Sequence, residues 1–154
     1  MKQQYTTNRS RGAALVEFAL ILPLLMLFLL GIIEFGMLVL DKQTLEQAAR
    51  EGTRVAAVGS PIATIKQRIT NSSAVLTNQN EMVVTLSYST DNGITFPYTL
   101  ADASGGVNNA PSGSLLQARL DLPHHLITGS FFSWLSGLQG NAVMLHTKVV
   151  MRRE

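Results

Sequence analysis

From Ala13 to Leu40 the chain is apolar except at Glu17 and Glu34, and the 16 residues between those two carry no charge. At 1.5 Å per helical residue the uncharged core is about 24 Å long and the whole run about 42 Å, against a hydrocarbon thickness of about 30 Å. The pattern predicts one membrane-crossing helix, with a kink or loosened turn at Pro23, which lacks a backbone donor. The run exceeds the ~7 to 15-residue apolar region of a removable secretory signal, and no A-x-A site directly follows it, so the anchor is expected to be retained. Beyond Leu40, Leu45, Ala48 or Ala49, Gly52, and Val55 or Ala56 recur at helical spacing, with Glu46 and Arg50 an i,i+4 pair. One helix from Ala13 to about Val58 would be about 69 Å long; a separate core helix starting at Asp41 fits the same periodicity.

Gly59-Ser60-Pro61 is a stop signal, and Ile62, Ile65 and Ile69 predict a short second helix to about Thr70. From Glu81 the period changes to two. Met82, Val84, Leu86 and Tyr88 form one alternating run, and Ile94, Phe96, Tyr98 and Leu100 a second after the hairpin signal Asp91-Asn92-Gly93. Residues 101–114 read as a mobile loop rich in Gly, Ser, Asn and Ala. Ala118, Leu120 and Leu122 predict a third strand, and Val143, Leu145, Thr147, Val149 and Met151 a fourth. Phe131-Phe132-Ser133-Trp134-Leu135 between them fits a packed loop or a turn of helix. The expected fold class is α+β, a long amino-terminal helix, half transmembrane and half exported and amphipathic, packed against a small antiparallel sheet. The 114 residues after the span suffice for one small core.

Charge fixes the orientation. Lys2, Arg9 and Arg11 precede the span with no acid before Glu17, while Asp41 and Lys42 cancel beyond it. Positive flanks stay cytoplasmic, so residues 41–154 are expected in the periplasm or outside. Three of the 12 basic residues and none of the 10 acidic ones lie in residues 1–12, leaving nine basic against 10 acidic and a net charge of −1 for the rest. The sequence pI of about 9.2 is therefore a property of the leader and gives no argument for nucleic-acid binding. The absence of cysteine excludes disulfides and thiolate metal sites.

Gly12 followed by Ala13 and Ala14 is a sterically bare junction between the basic leader and the apolar run, suited to a peptidase at the membrane surface. Glu17 lies about 6 Å inside the apolar run. An unpaired carboxylate there costs about 2 to 3 kcal/mol or more, so it is expected to find a partner or to snorkel to the headgroups. Glu34, nearer the far end, is either a polar contact between packed helices or another snorkelling carboxylate.

Arg11-Gly12-Ala13-Ala14-Leu15-Val16-Glu17-Phe18, followed by Leu22-Pro23-Leu24-Leu25, Gly31-Ile32-Ile33-Glu34-Phe35-Gly36 and Ala48-Ala49-Arg50-Glu51-Gly52-Thr53-Arg54, resembles the successive blocks of the TadE-like minor pilins, or pseudopilins, of the tight-adherence (Flp-type) pilus system. Met151-Arg152-Arg153-Glu154 resembles their usual end. Thr53 stands where alanine is common, and residues 59–140 carry no matching motif. The resemblance implies a leader at residues 1–12, a TadE-like helical segment at 13–58 and an exported domain at 59–154. It implies cleavage between Gly12 and Ala13, which would leave Glu17 fifth and Phe18 sixth, and a role for Glu17 and Phe18 in docking into a growing filament. The implied partners are a prepilin peptidase, other minor pilins, the major Flp-type pilin, the inner-membrane assembly platform and the lipid bilayer. Neither nucleic acid nor a small-molecule substrate is among them. The implied location is the bacterial inner membrane, amino terminus cytoplasmic, with incorporation into a pilus for surface attachment.

Two rival readings remain open on the residues alone: an uncleaved single-pass anchor with an exported ligand-binding domain, and a membrane-tethered enzyme. His124-His125 and His146 are the only metal-ligand candidates, and adjacent residues of a strand face opposite ways. No G-x-S-x-G elbow, phosphate loop or dinucleotide fingerprint occurs. The expectation is a non-enzyme without cofactor or metal.

Overall fold

The computed structural model describes residues 7–126, 129 and 142–154. Helix α1 spans Thr7–Ala57 without interruption, through both Pro23 and Asp41. It begins upstream of the predicted start, and no separate helix opens at Asp41. The chain divides into a unit ending at Met37 and a compact unit of Leu38–Glu154, so α1 belongs to both.

In the compact unit, Leu45, Ala48, Ala49 and Ala56 of α1 are at most 1% exposed and form the spine of the core. Helix α2, Ile62–Ser72, buries Ile65 and Ile69. A Cβ added at Gly52 would lie 2.4 Å from Cγ1 of Ile69, so the small residues of α1 are what allow α2 to approach. Gly59, at φ +87°, closes α1 by donating its N–H to the Ala56 carbonyl at 2.9 Å.

Four strands, β1 (Val83–Ser89), β2 (Tyr98–Thr99), β5 (Leu115–His125) and β6 (Ala142–Arg152), form an antiparallel sheet in the order β2-β1-β5-β6. Two short strands, β3 (Asp102–Ala103) and β4 (Val107–Asn108), make a separate ribbon. Leu86, Ala118, Leu120, Leu122 and Leu145 alternate inward and complete the core with α1 and α2. The architecture is α+β, the long helix packed against a small antiparallel sheet.

One strand reading and one loop reading are corrected. The run from Ile94 to Leu100 is a strand only at Tyr98 and Thr99, with one further bond from the Leu100 N–H to the Leu86 carbonyl at 3.0 Å. Ser89 Oγ accepts the Gly93 N–H at 2.9 Å, and the Asp91 carboxylate accepts both the N–H and the hydroxyl of Thr95, at 3.0 and 2.6 Å. Side-chain acceptors thus take up backbone donors that a ladder would need. The Asp91 carboxyl is held well below the usual carboxylate range, first by the Ser89 hydroxyl and then by Thr95. Residues 101–114 are not a featureless loop. Asn108, 2% exposed, donates from Nδ2 to the carbonyls of Ala56 and Ser60 at 2.9 and 3.1 Å, while Arg153 Nη1 donates to Asn108 Oδ1 at 3.0 Å. Phe131 to Leu135 lies outside the described residues.

Gly52→Ala is expected to cost about 1 to 3 kcal/mol of stability by overpacking against Ile69. In an Ile69→Ala background that cost should vanish, a non-additivity measurable as denaturation midpoints in a double-mutant cycle.

Candidate functional site

The residues singled out for processing and docking all lie on α1. Gly12 and Ala13 are exposed, and a side chain at Gly12 would meet nothing within 4 Å. Their peptide bond is helical, where glycine is about 1 kcal/mol less favourable than alanine, so this is an easy turn to open. Glu17 is exposed and has no hydrogen bond or ion pair among the described residues. Phe18 is 58% exposed, within an apolar surface in which Leu15, Leu20, Phe28 and Ile32 are between 62% and 75% exposed. Glu34 behaves differently from its neighbours. It is 8% exposed, the only residue classed as buried from Gly12 to Met37.

The most apolar 18-residue window of this helix has a mean hydropathy of 2.7, and none of it is buried. A core helix of a water-soluble domain with that hydropathy would be covered by its own protein. One long apolar helix of this kind is compatible with a single-pass membrane anchor.

Residues 12–54 match the family model described as TadE-like protein. Over that segment the chain is TadE-like. No curated protein and no solved structure matches the chain. The TadE-like segment carries Gly12, Ala13, Glu17, Phe18 and Glu34 and extends through the small-residue stripe to Arg54. Its two ends have different physical roles. The first is an apolar surface with one unpaired carboxylate; the last supplies Ala48, Ala49, Gly52 and Thr53, on which α2 and the sheet pack. The similarity over that segment is consistent with a protein of the tight-adherence pilus system.

The histidines are engaged one by one. His124 Nδ1 is 2.7 Å from Asp41 Oδ2, His125 Nε2 is 3.1 Å from Glu81 Oε2, and His146 Nδ1 is 2.5 Å from Asp121 Oδ1. His124 is buried and His125 exposed, as neighbours on a strand should be. The fold supplies acids that sequence distance hid, because Asp41 comes from α1 and Asp121 pairs with His146 in the β5–β6 register. No group of three potential metal-ligating side chains forms among the described residues.

Burial pushes the Asp121 carboxyl up, but the His146 hydrogen bond and the Arg119 guanidinium together hold it below the usual carboxylate value. A carboxyl lowered on folding stabilises the fold fully above its unfolded value of about 3.9 and loses that contribution as pH falls through the lower folded value. Asp121→Asn should therefore be less stable than wild type at neutral pH, with the gap closing below about pH 4 in urea unfolding at stepped pH.

Proposed function

We propose that this chain is a minor pilin or pseudopilin of a tight-adherence pilus, anchored in the inner membrane by α1 with its amino terminus cytoplasmic and its compact unit exported. A prepilin peptidase cuts it after Gly12, and it then assembles through α1 with other minor pilins and the major pilin, on an inner-membrane platform. There it initiates, caps or extends the fibre. Its role is that of a packing unit and a peptidase substrate, without catalysis of its own.

The observation that carries this reading is the TadE-like match on an apolar helix whose Glu17 has no partner among the described residues. Cleavage after Gly12 frees an ammonium on Ala13, four residues before Glu17. On a helix that is one turn away and on the same face. The new amine, of this subunit or of a neighbour, is the counter-charge that makes a carboxylate in hydrocarbon affordable. Apolar side chains along the same helix supply contact area to neighbouring helices. In lipid, close packing and polar pairing, not hydrophobicity, hold such helices together.

Gly12→Ala should leave the leader attached in membrane extracts, visible as a retained mass. Glu17→Ala should insert as well as wild type yet appear in sheared pili at a level lower by about tenfold, the loss of about 1.4 kcal/mol of pairing. Normal piliation by the Glu17 variant would remove the docking role, and function with an intact leader would favour the plain anchor.

A further inference from the structure

Two contacts fix how β6 lies along α1. Lys42 donates its ammonium to the His146 carbonyl, and the Glu154 N–H donates to the Ala57 carbonyl at 3.2 Å. The strand therefore runs beside the helix in the same direction, and its first residues lie toward Leu38, Val39 and Leu40, where the apolar run ends. Ala142 precedes His146 by four residues, a further ~13 Å along the strand. The register with β5 agrees. The Asp41 carboxylate meets His124, and the hairpin continues past that contact to the pair His125 and Ala142.

At that end the core stops covering the strand. Leu145 and Thr147 face inward and are each 6% exposed. Val143 has the same parity yet is 40% exposed, and Met144, on the opposite face, is 49% exposed. Val39 and Leu40 of α1 are 37% and 54% exposed at the same end of the compact unit. The sequence from Leu126 to Leu145 contains no ionisable residue. The charges nearest this end are Lys42 on α1, the His146–Asp121 pair and the exposed His125–Glu81 pair. A carboxylate such as Glu81 is costly in hydrocarbon and much less so among headgroups, which limits how deep this end can lie.

Position selects what covers these side chains. The helix that leads up to Leu40 has an 18-residue window with a mean hydropathy of 2.7, none of it buried, and Leu40 stands two residues before Lys42. A bilayer around that run has its surface at this end of the compact unit, and a protein partner would have to displace it.

We propose that the start of β6 is a second membrane contact. Val143 and Met144, with Val39 and Leu40, lie in the headgroup layer of the bilayer that α1 crosses, and Lys42 stands at its polar border. The inference rests on the reading of α1 as a membrane anchor.

The chain has no cysteine, so a single introduced one can carry a bimane fluorophore. The full-length chain is reconstituted in phosphatidylcholine vesicles with the label at Met144→Cys, at Leu25→Cys within the apolar run, or at Val107→Cys, next to the Asn108 that bonds the far end of α1. The lipid bears a nitroxide either on its headgroup or midway along an acyl chain. The Met144 label should lose fluorescence to the headgroup nitroxide, the Leu25 label to the acyl nitroxide, and the Val107 label to neither. A Met144 label quenched by neither while Leu25 is quenched would overturn the proposal and leave the anchor standing; an end that lies in water or under another protein gives that result. A Leu25 label quenched by neither would overturn the anchor reading, and the proposal with it. Val143→Cys gives the same reading should Met144→Cys fail to fold.

Discussion

Everything in the compact unit depends on the close packing of small residues on the second half of α1. A sheet of four strands, two of them long, has one apolar face to cover, and Leu45, Ala48, Ala49 and Ala56 cover it at full burial. Gly52 lets Ile69 come closer than any side chain would permit. Larger residues at these positions would hold α2 and the sheet off the helix and open the core. The end of the chain reinforces the same element. Arg153 holds Asn108, Asn108 donates to the Ala56 carbonyl, and the Glu154 N–H donates to the Ala57 carbonyl at 3.2 Å, so the carbonyls of the last turn of α1 find the donors that helix ends otherwise lack.

This explains why one family segment contains such different chemistry. The matched residues 12–54 include an apolar surface that is exposed among the described residues and a stripe that the compact unit buries. Large apolar groups suit the first task, because contact with lipid or with other helices needs area. Small groups suit the second, because two elements must approach one helix. Both tasks fall on a single helix, so the element that presents the apolar surface is also the element that organises the compact unit.

Strong periodicity was legible in the sequence and local competition was not. The apolar run, the helical stripe after Leu40, α2 and the three alternating strands β1, β5 and β6 each follow from a repeat that a simple element satisfies. Ile94 to Leu100 alternates just as well, yet Ser89 and Asp91 take the donors at Gly93 and Thr95, and no hydropathy pattern reveals that exchange. Asn108 looked like one more loop residue. Its burial depends on carbonyls at Ala56 and Ser60, 52 and 48 residues away in sequence. The carboxylates facing His124, His125 and His146 were hidden for the same reason, since Asp41, Glu81 and Asp121 reach them only through packing and register. At the candidate site, the Gly12 junction and the depth of Glu17 could be read directly from residue order; the burial of Glu34 could not.

The most direct test of the pilin reading is the intact mass and amino-terminal sequence of the membrane-extracted protein, from cells with and without the prepilin peptidase. The account predicts a chain beginning at Ala13 only when the peptidase is present. A chain that keeps residues 1–12 in both strains would contradict it and leave α1 as a plain anchor.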